Sequence, residues 1–277
     1  MGPRRNVFKY APRMTRTQNR GRATDIPGVS GHGTANARPW EAPLGDVHPG
    51  RQHLPLSPGR ELTRSMRLTK HEHASLVVVE GGHTLVIDPG SFTSPLEDLT
   101  GLVGVVITHE HADHWTPEHL TRLQKAHPEV PIYGPEGVRN AAAGFDVTVV
   151  HPGDSLDLGP FHLEFFGGRH EVIHESIPVV DNVGVLVNDA LYYPGDSYTV
   201  PKHKKVALLA APVGAPWLKI GDAIDYVLAV KPERVFATHD MTLSVAGKQM
   251  GDARLTWAVE QNGGSFVDLR PGDSVEV

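Results

Sequence analysis

Between residues 66 and 277, hydrophobic positions follow the period of a strand in some segments and the period of a helix in others. These periods predict the secondary structure. Short runs rich in β-branched side chains predict strands, whereas apolar residues spaced three and four apart predict helices. The predicted strands cover 74–80, 84–88, 102–107, 130–133, 147–150, 161–166, 183–187, 189–193, 206–210, 234–238, 266–269 and 274–277. The predicted helices cover 117–126, 136–143, 219–230 and 246–262. Strands that come first and then alternate with helices, twice over, predict an α/β fold of two mixed sheets with helices outside.

Residues 1–65 show neither period and contain clusters of Pro, Gly, Arg and Asn. They hold 11 Lys and Arg against 4 Asp and Glu, a net of +7, while the remainder holds 15 against 28, a net of −13, and the two give the −6 of the chain. We predict a basic, disordered extension over 1–65 and one folded domain over 66–277, because a segment of low hydrophobicity cannot offset its ordering entropy. The alternatives are an arm that contacts nucleic acid or a partner, and a stretch preceding a start at Met66.

Composition excludes several classes of protein. The chain has no cysteine, so disulfides and thiolate metal ligands are excluded. No apolar run reaches the length of a membrane-spanning helix, and no apolar segment follows the first residues as in a secretory signal. We therefore expect a cytoplasmic protein without a membrane contact.

The strongest chemical signal follows the strand predicted at 102–107. The next seven residues contain three histidines and an aspartate, namely His109, His111, Asp113 and His114. Imidazole and carboxylate are the usual donors for Zn²⁺ and related ions. A helix start at Thr116 and Pro117 forces a turn that can bring these donors together at the strand's carboxyl end. The sequence therefore predicts a metal site there.

This run of histidines and aspartate resembles the signature of the metallo-β-lactamase fold superfamily. Four further segments resemble that superfamily in the same order: Asp88 after a strand, His170 in a later loop, Asp196 after a further strand and His239 after a late strand. The resemblance covers roughly residues 66–277. It implies a four-layer αββα sandwich and a dinuclear metal hydrolase.

The resemblance also implies a ligand set. One ion would be held by His109, His111 and His170, and the second by Asp113, His114 and His239. Asp196 would bridge the two ions. A site made only of His and Asp accepts Zn²⁺, Mn²⁺ or Fe²⁺, and we expect two zinc ions.

The expected reaction is hydrolysis of an ester, lactone or phosphodiester. Two ions that share a water lower its pKa and supply a bridging hydroxide near neutral pH, and they neutralise the charge that develops on the substrate. Asp113 is the predicted catalytic residue, because it would orient the hydroxide and accept its proton while it binds the second ion.

The roles of four further residues are left open by the sequence. Asp88 either supports residues 108–115, here called the metal loop, through hydrogen bonds or is a turn aspartate before Pro-Gly. His174, four residues after His170, is either the third ligand of the first ion or a substrate contact or structural histidine. His73 lies, by the resemblance, near the rim of the site, and Trp217 either lines the pocket or only packs.

The expected substrate is a small molecule. Only 42 residues separate Asp196 from His239, which leaves no room for the inserted domain of the superfamily's RNA-processing members. The net charge of −13 over 66–277 also makes nucleic acid an unlikely substrate. The alternatives are a nuclease or phosphodiesterase that uses the basic arm 1–65, and a metal-binding module without catalysis. Nothing in the sequence predicts an oligomeric state.

Overall fold

The computed structural model describes residues 65–97 and 99–277, so nearly all of the predicted extension 1–65 lies outside the described residues. The strands are β1 (Arg67–Lys70), β2 (Leu76–Glu80), β3 (His83–Ile87), β4 (Leu102–Val106), β5 (Ile132–Gly134), β6 (Val147–Val149), β7 (Ser155–Leu158), β8 (Phe161–Gly167), β9 (Val183–Val187), β10 (Leu191–Tyr193), β11 (Leu208–Pro212), β12 (Arg234–Thr238), β13 (Ser265–Phe266) and β14 (Ser274–Glu276). The helices are α1 (Pro117–Ala126), α2 (Glu136–Ala141), α3 (Ile220–Val230) and α4 (Val245–Glu260).

These strands form two seven-stranded mixed sheets. The first has the order β14-β1-β2-β3-β4-β5-β6, and the second has the order β13-β12-β11-β10-β9-β8-β7. The strands β3 to β6 are parallel to one another, as are β10 to β13. The carboxyl ends of these parallel strands provide the edges at which an α/β fold positions functional side chains.

Three clusters of buried apolar residues hold the layers together. The central cluster joins the two sheets and includes Leu76, Ile87, Phe165 and Phe236. A second cluster packs α1 and α2 on the outside of the first sheet, and a third packs α3 and α4 on the outside of the second sheet. The predicted four-layer αββα sandwich is thus confirmed.

The helix that follows the metal-ligand run begins as its sequence predicts. The Thr116 side chain accepts a hydrogen bond from the His119 backbone N–H at 3.2 Å, and Pro117 occupies the first turn, where a missing N–H costs nothing. His119 is buried, with Nε2 3.1 Å from the Thr93 carbonyl oxygen. This cap fixes the point at which the loop between β4 and α1 must end.

Several strand predictions were wrong in detail. The strands β1 and β7, of four residues each, were not predicted, because β1 contains a single apolar residue and β7 contains two. The strand predicted from 189 begins only at Leu191, because Asn188 and Asp189 have left-handed φ values of 52° and 51° and form a turn. The strand predicted at 266–269 is reduced to Ser265–Phe266. In the described part of the chain, no helix is long and apolar enough to cross a membrane.

Candidate metal centre

Seven residues singled out from the sequence converge where β4, β8, β10 and β12 end: His109, His111, Asp113, His114, His170, Asp196 and His239. Together with His73, they form three groups, and within each group the donor atoms all lie within 4.8 Å of one another. The groups are His109, His111 and His170; His73, Asp113, His114 and His239; and His109, His114 and Asp196.

The first group consists of imidazole rings only. The Nε2 atom of His109 lies 3.1 Å from Nδ1 of His111, and the ring centre of His170 lies 4.9 Å and 4.7 Å from those two rings. His170 donates its Nδ1–H to the Glu171 carbonyl oxygen at 2.5 Å, so its Nε2 carries a lone pair. That Nε2 is buried and has no hydrogen-bond partner. Nitrogen lone pairs that converge in this way fit a divalent cation.

Asp88 supports this centre through hydrogen bonds. Its carboxylate accepts hydrogen bonds from the Thr108 backbone N–H at 2.8 Å, the Thr108 hydroxyl at 2.7 Å and His114 Nδ1 at 2.7 Å. Because the Thr108 hydroxyl donates to Asp88, its oxygen can accept from His109 Nδ1 at 3.0 Å. Both histidines therefore direct an unprotonated Nε2 toward the centre, which is the tautomer of a metal ligand.

The second group contains one carboxylate and two histidines with the same tautomer. His239 donates its Nδ1–H to the Gly214 carbonyl oxygen at 2.6 Å, and Asp88 accepts from His114. Their Nε2 atoms are buried without hydrogen-bond partners and lie 3.3 Å and 3.9 Å from Asp113 Oδ2. This group also fits a cation, and the side chain of Asp113 keeps 27% of its surface exposed.

Asp196 lies between the two groups. Its Oδ2 atom is 3.3 Å from His170 Nε2 and 3.2 Å from His239 Nε2, while its Oδ1 atom is 3.2 Å from His114 Nε2. The indole N–H of Trp217 donates to Oδ2 at 2.9 Å. A carboxylate that contacts histidines of both groups is placed where a bridging ligand would be needed.

The electrostatics of the centre favour positive charge. Burial opposes the ionisation of Asp196, but the charges of His114 and His239 hold its pKa well below the usual range. Burial also opposes the ionisation of Asp113, but the neighbouring imidazoles of His239 and His73 hold its pKa low. Burial lowers the pKa of His239, whereas the adjacent carboxylates of Asp196 and Asp113 raise it, to about 9. Both carboxylates therefore stay ionised next to the histidine nitrogens.

Two glycines allow the chain to approach the centre. A Cβ atom on Gly90 would lie 1.8 Å from the backbone oxygen of Asp113, so any other residue would displace the metal loop. Gly195 has φ +64°, and a Cβ there would lie 2.4 Å from Asn182 Oδ1 and 2.8 Å from Thr108 Cβ. Asn182 Oδ1 also accepts from the Asp196 backbone N–H at 2.9 Å, which orients the aspartate.

The remaining candidates divide between the centre and the surface. His73 is fully buried, and its Nε2 lies 3.1 Å from Asp113 Oδ2. Trp217 contacts Asp196, as described above. His174 is exposed, and its Nδ1 is 2.8 Å from the Ser176 hydroxyl, so it lies outside all three groups. The third imidazole beside His109 and His111 is thus that of His170.

Sequence reasoning missed the residues that orient the ligands. Thr108, Asn182 and the carbonyl of Gly214 each hold a ligand residue in place. Thr108 adjoins the histidine run and could have been suspected for that reason. Asn182 and Gly214 carry no signal, because one is an isolated polar residue and the other acts through its backbone.

Comparison with known proteins agrees with the family that the sequence resembles. Residues 67–239 match a family described as "Beta-lactamase superfamily domain". The chain is 37% identical over 196 residues to Protein Rv0786c of Mycobacterium tuberculosis, and the match covers 69% of this chain and 92% of that protein.

Two solved structures share the fold. One is Igni18, a metallo hydrolase of the archaeon Ignicoccus hospitalis, with 18% identity, coverage of 77% of this chain and 98% of that chain, and a TM-score of 0.60. The other is YhfI of Bacillus subtilis, a metallo-beta-lactamase fold protein, with 17% identity, coverage of 77% and 100%, and a TM-score of 0.57. At these identities the two structures support the fold and carry no information on the substrate.

Proposed function

We propose that the chain, which belongs to the beta-lactamase superfamily and has the fold of its metal-dependent hydrolases, uses two divalent ions to cleave an ester or lactone bond in a small molecule. The resemblance seen in the sequence is thereby confirmed at the level of the family. The observation that carries the dinuclear proposal is the position of Asp196, whose carboxylate lies within 3.3 Å of histidines from both groups.

The donor set supports two ions of the zinc type. His109, His111 and His170 would hold the first, and Asp113, His114 and His239 would hold the second, with Asp196 shared. Zinc is the ion that we propose, although Mn²⁺ and Fe²⁺ suit the same donors. When bound, such ions activate a water molecule and polarise the bond to be cleaved.

Asp113 is the residue that we propose as the catalytic base. Its side chain is 27% exposed, whereas that of Asp196 is 3% exposed, so only Asp113 has an oxygen that both faces the histidines and can reach a water at the mouth. The hydrogen bond with His73 Nε2 at 3.1 Å orients this carboxylate. A carboxylate held in this way can orient the attacking water and accept its proton.

The surroundings favour an uncharged substrate. Among the described residues, Asp113 and Asp196 form ion pairs with histidines alone, and no arginine or lysine contacts them. Recognition of phosphodiesters commonly uses an arginine fork. By contrast, Phe92 is 43% exposed and its ring lies 4.7 Å from that of His73. Met241, whose backbone N–H donates to His73, is also exposed. These contacts support an ester or lactone over a phosphodiester.

The test is metal loading followed by a substrate screen. The protein, purified without chelator or reconstituted with Zn²⁺, is analysed for metal content and assayed on lactones, aryl esters, thioesters and phosphodiesters. We expect two equivalents of metal and turnover of esters or lactones. The Asp196→Asn variant should lose turnover, and His174→Ala, a histidine outside the centre, should keep it. Saturation at one equivalent of metal or less, or turnover of phosphodiesters alone, would contradict the proposal.

A further inference from the structure

His114, His239 and His170 share a pattern at their second ring nitrogen, and His73 departs from it. A histidine that binds a metal through one nitrogen normally donates the N–H of the other to an oxygen acceptor. His114 directs Nδ1 at Asp88 Oδ2, His239 at the Gly214 carbonyl and His170 at the Glu171 carbonyl. In each case the acceptor leaves Nε2 free for a cation.

His73 has the opposite arrangement. Its Nδ1 accepts a hydrogen bond from the Met241 backbone N–H at 3.3 Å, so Nδ1 cannot carry a hydrogen. The hydrogen of the imidazole must then be on Nε2. That Nε2 lies 3.1 Å from Asp113 Oδ2, which is a hydrogen-bond acceptor. The ring therefore presents a donor, rather than a lone pair, to the centre.

From this geometry we propose that His73 is a positioning residue, which donates Nε2–H to Asp113, and that it is not a ligand even though it lies within the second group of donors. The inference rests on the proposed dinuclear centre. The hydrogen bond holds the carboxylate of Asp113 in the rotamer that directs Oδ2 at His114 and His239. His73 thereby sets the affinity of the second ion and the orientation of the catalytic carboxylate.

The backbone around His73 is built to keep this ring in place. His73 has a left-handed φ of 61°, a conformation that a non-glycine residue retains only where its surroundings enforce it. Its carbonyl oxygen accepts from the His239 backbone N–H at 2.8 Å. Its ring centre lies 3.8 Å from that of His239 and 4.7 Å from that of Phe92. The segment before β2 and the loop after β12 are thus joined through this one residue.

The first experiment is a crystal structure of the zinc-loaded wild-type protein, which requires no variant to fold. We expect His73 Nε2 to remain within hydrogen-bond distance of Asp113 and to lie well beyond the zinc–nitrogen bond length of about 2.0–2.1 Å. A bond between zinc and His73 would overturn the inference. A single bound ion would overturn the dinuclear proposal. The inference about His73 would be overturned as well only if that ion were bonded to His73.

The second experiment measures metal affinity in His73→Leu and His73→Gln by competition with a chromophoric chelator. Both variants should still bind two equivalents at saturation. We expect His73→Leu to weaken the second ion by about 10–100-fold, and His73→Gln, whose amide can still donate to Asp113, to recover most of that loss. His239→Ala should saturate at one equivalent, and His71→Leu should match the wild type. Saturation of His73→Leu at one equivalent, or no recovery in His73→Gln, would overturn the inference.

Discussion

The carboxylate of Asp88 accepts a hydrogen bond from His114 Nδ1 at 2.7 Å, and both side chains are fully buried. The same carboxylate accepts the N–H and the hydroxyl of Thr108. One acidic side chain thus fixes the ring orientation of a proposed ligand and the backbone from which the histidine run starts. Of the two interpretations of Asp88, this geometry is that of a support for the metal loop.

We predict that Asp88→Ala weakens metal binding and destabilises the fold. Loss of the carboxylate leaves the Thr108 N–H buried without a partner, which costs about 1–3 kcal/mol, and it frees the His114 ring, which costs about 10–100-fold in metal affinity. Urea denaturation and chelator competition measure the two effects. Asp146→Ala, on the surface, is the control. An Asp88→Ala protein with wild-type metal affinity would contradict the supporting role.

We predict that Asp113→Asn lowers kcat by about 10²–10⁴-fold, the range of general base catalysis. The amide keeps the size of the side chain but cannot accept a proton from water. The measurement is steady-state hydrolysis by enzyme shown to contain both ions. A loss of activity explained entirely by loss of metal would assign Asp113 to metal binding alone.

We predict that Trp217→Phe reduces kcat by about 10-fold or more, because the hydrogen bond from Nε1 to the ionised Asp196 is lost and such charged bonds contribute about 1.5–3 kcal/mol. The phenyl ring keeps most of the apolar contact. Trp257→Phe, on the exposed face of α4, provides a matched control. If both variants behaved like the wild type, Trp217 would serve packing only.

The sequence was sufficient for the fold and for the order of the site residues, and the reasons are physical. His109 follows an apolar strand of the first sheet, and Asp196 and His239 follow apolar strands of the second. The carboxyl ends of parallel strands are where an α/β fold positions functional side chains. The choice between His170 and His174 was not readable, because both lie in the irregular segment between β8 and β9. The donors and acceptors that orient the rings come from backbone groups such as the Gly214 carbonyl and the Met241 N–H, which carry no sequence pattern.

We predict that the pH dependence of stability changes when the metal is removed. In the metal-free protein the pKa of His239 is raised from 6.5 to about 9, despite burial, by the adjacent carboxylates of Asp196 and Asp113. This raised pKa contributes stability that is complete below pH 6.5 and is lost as the pH rises through about 9. The lowered pKa values of Asp113 and Asp196 contribute stability that is present above pH 3.8 and is lost as the pH falls below it.

The stability of the metal-loaded protein should instead increase as the pH rises above 6.5, because protons compete with the ion for the histidine nitrogens. Urea unfolding of chelator-treated and zinc-loaded samples, measured from 6.5 to beyond 9, tests both expectations. A metal-free protein whose stability rises over that range would contradict the proposed charge state of the centre. His239→Gln, which lacks the titrating ring, should flatten the metal-free profile.

We predict that a chain starting at Met66 hydrolyses small esters as well as the full chain does. The buried core includes Met66 itself, and the Met66 carbonyl accepts from the Val277 backbone N–H at 2.8 Å, so every described strand is retained. The basic residues 1–65, with their net +7, would matter only for a polyanionic substrate. Nucleic-acid cleavage that is lost on truncation and weakened by salt in the full chain would favour the nuclease alternative. Equal activity of both chains on esters, with no nucleic-acid cleavage by either, would favour the small-molecule hydrolase.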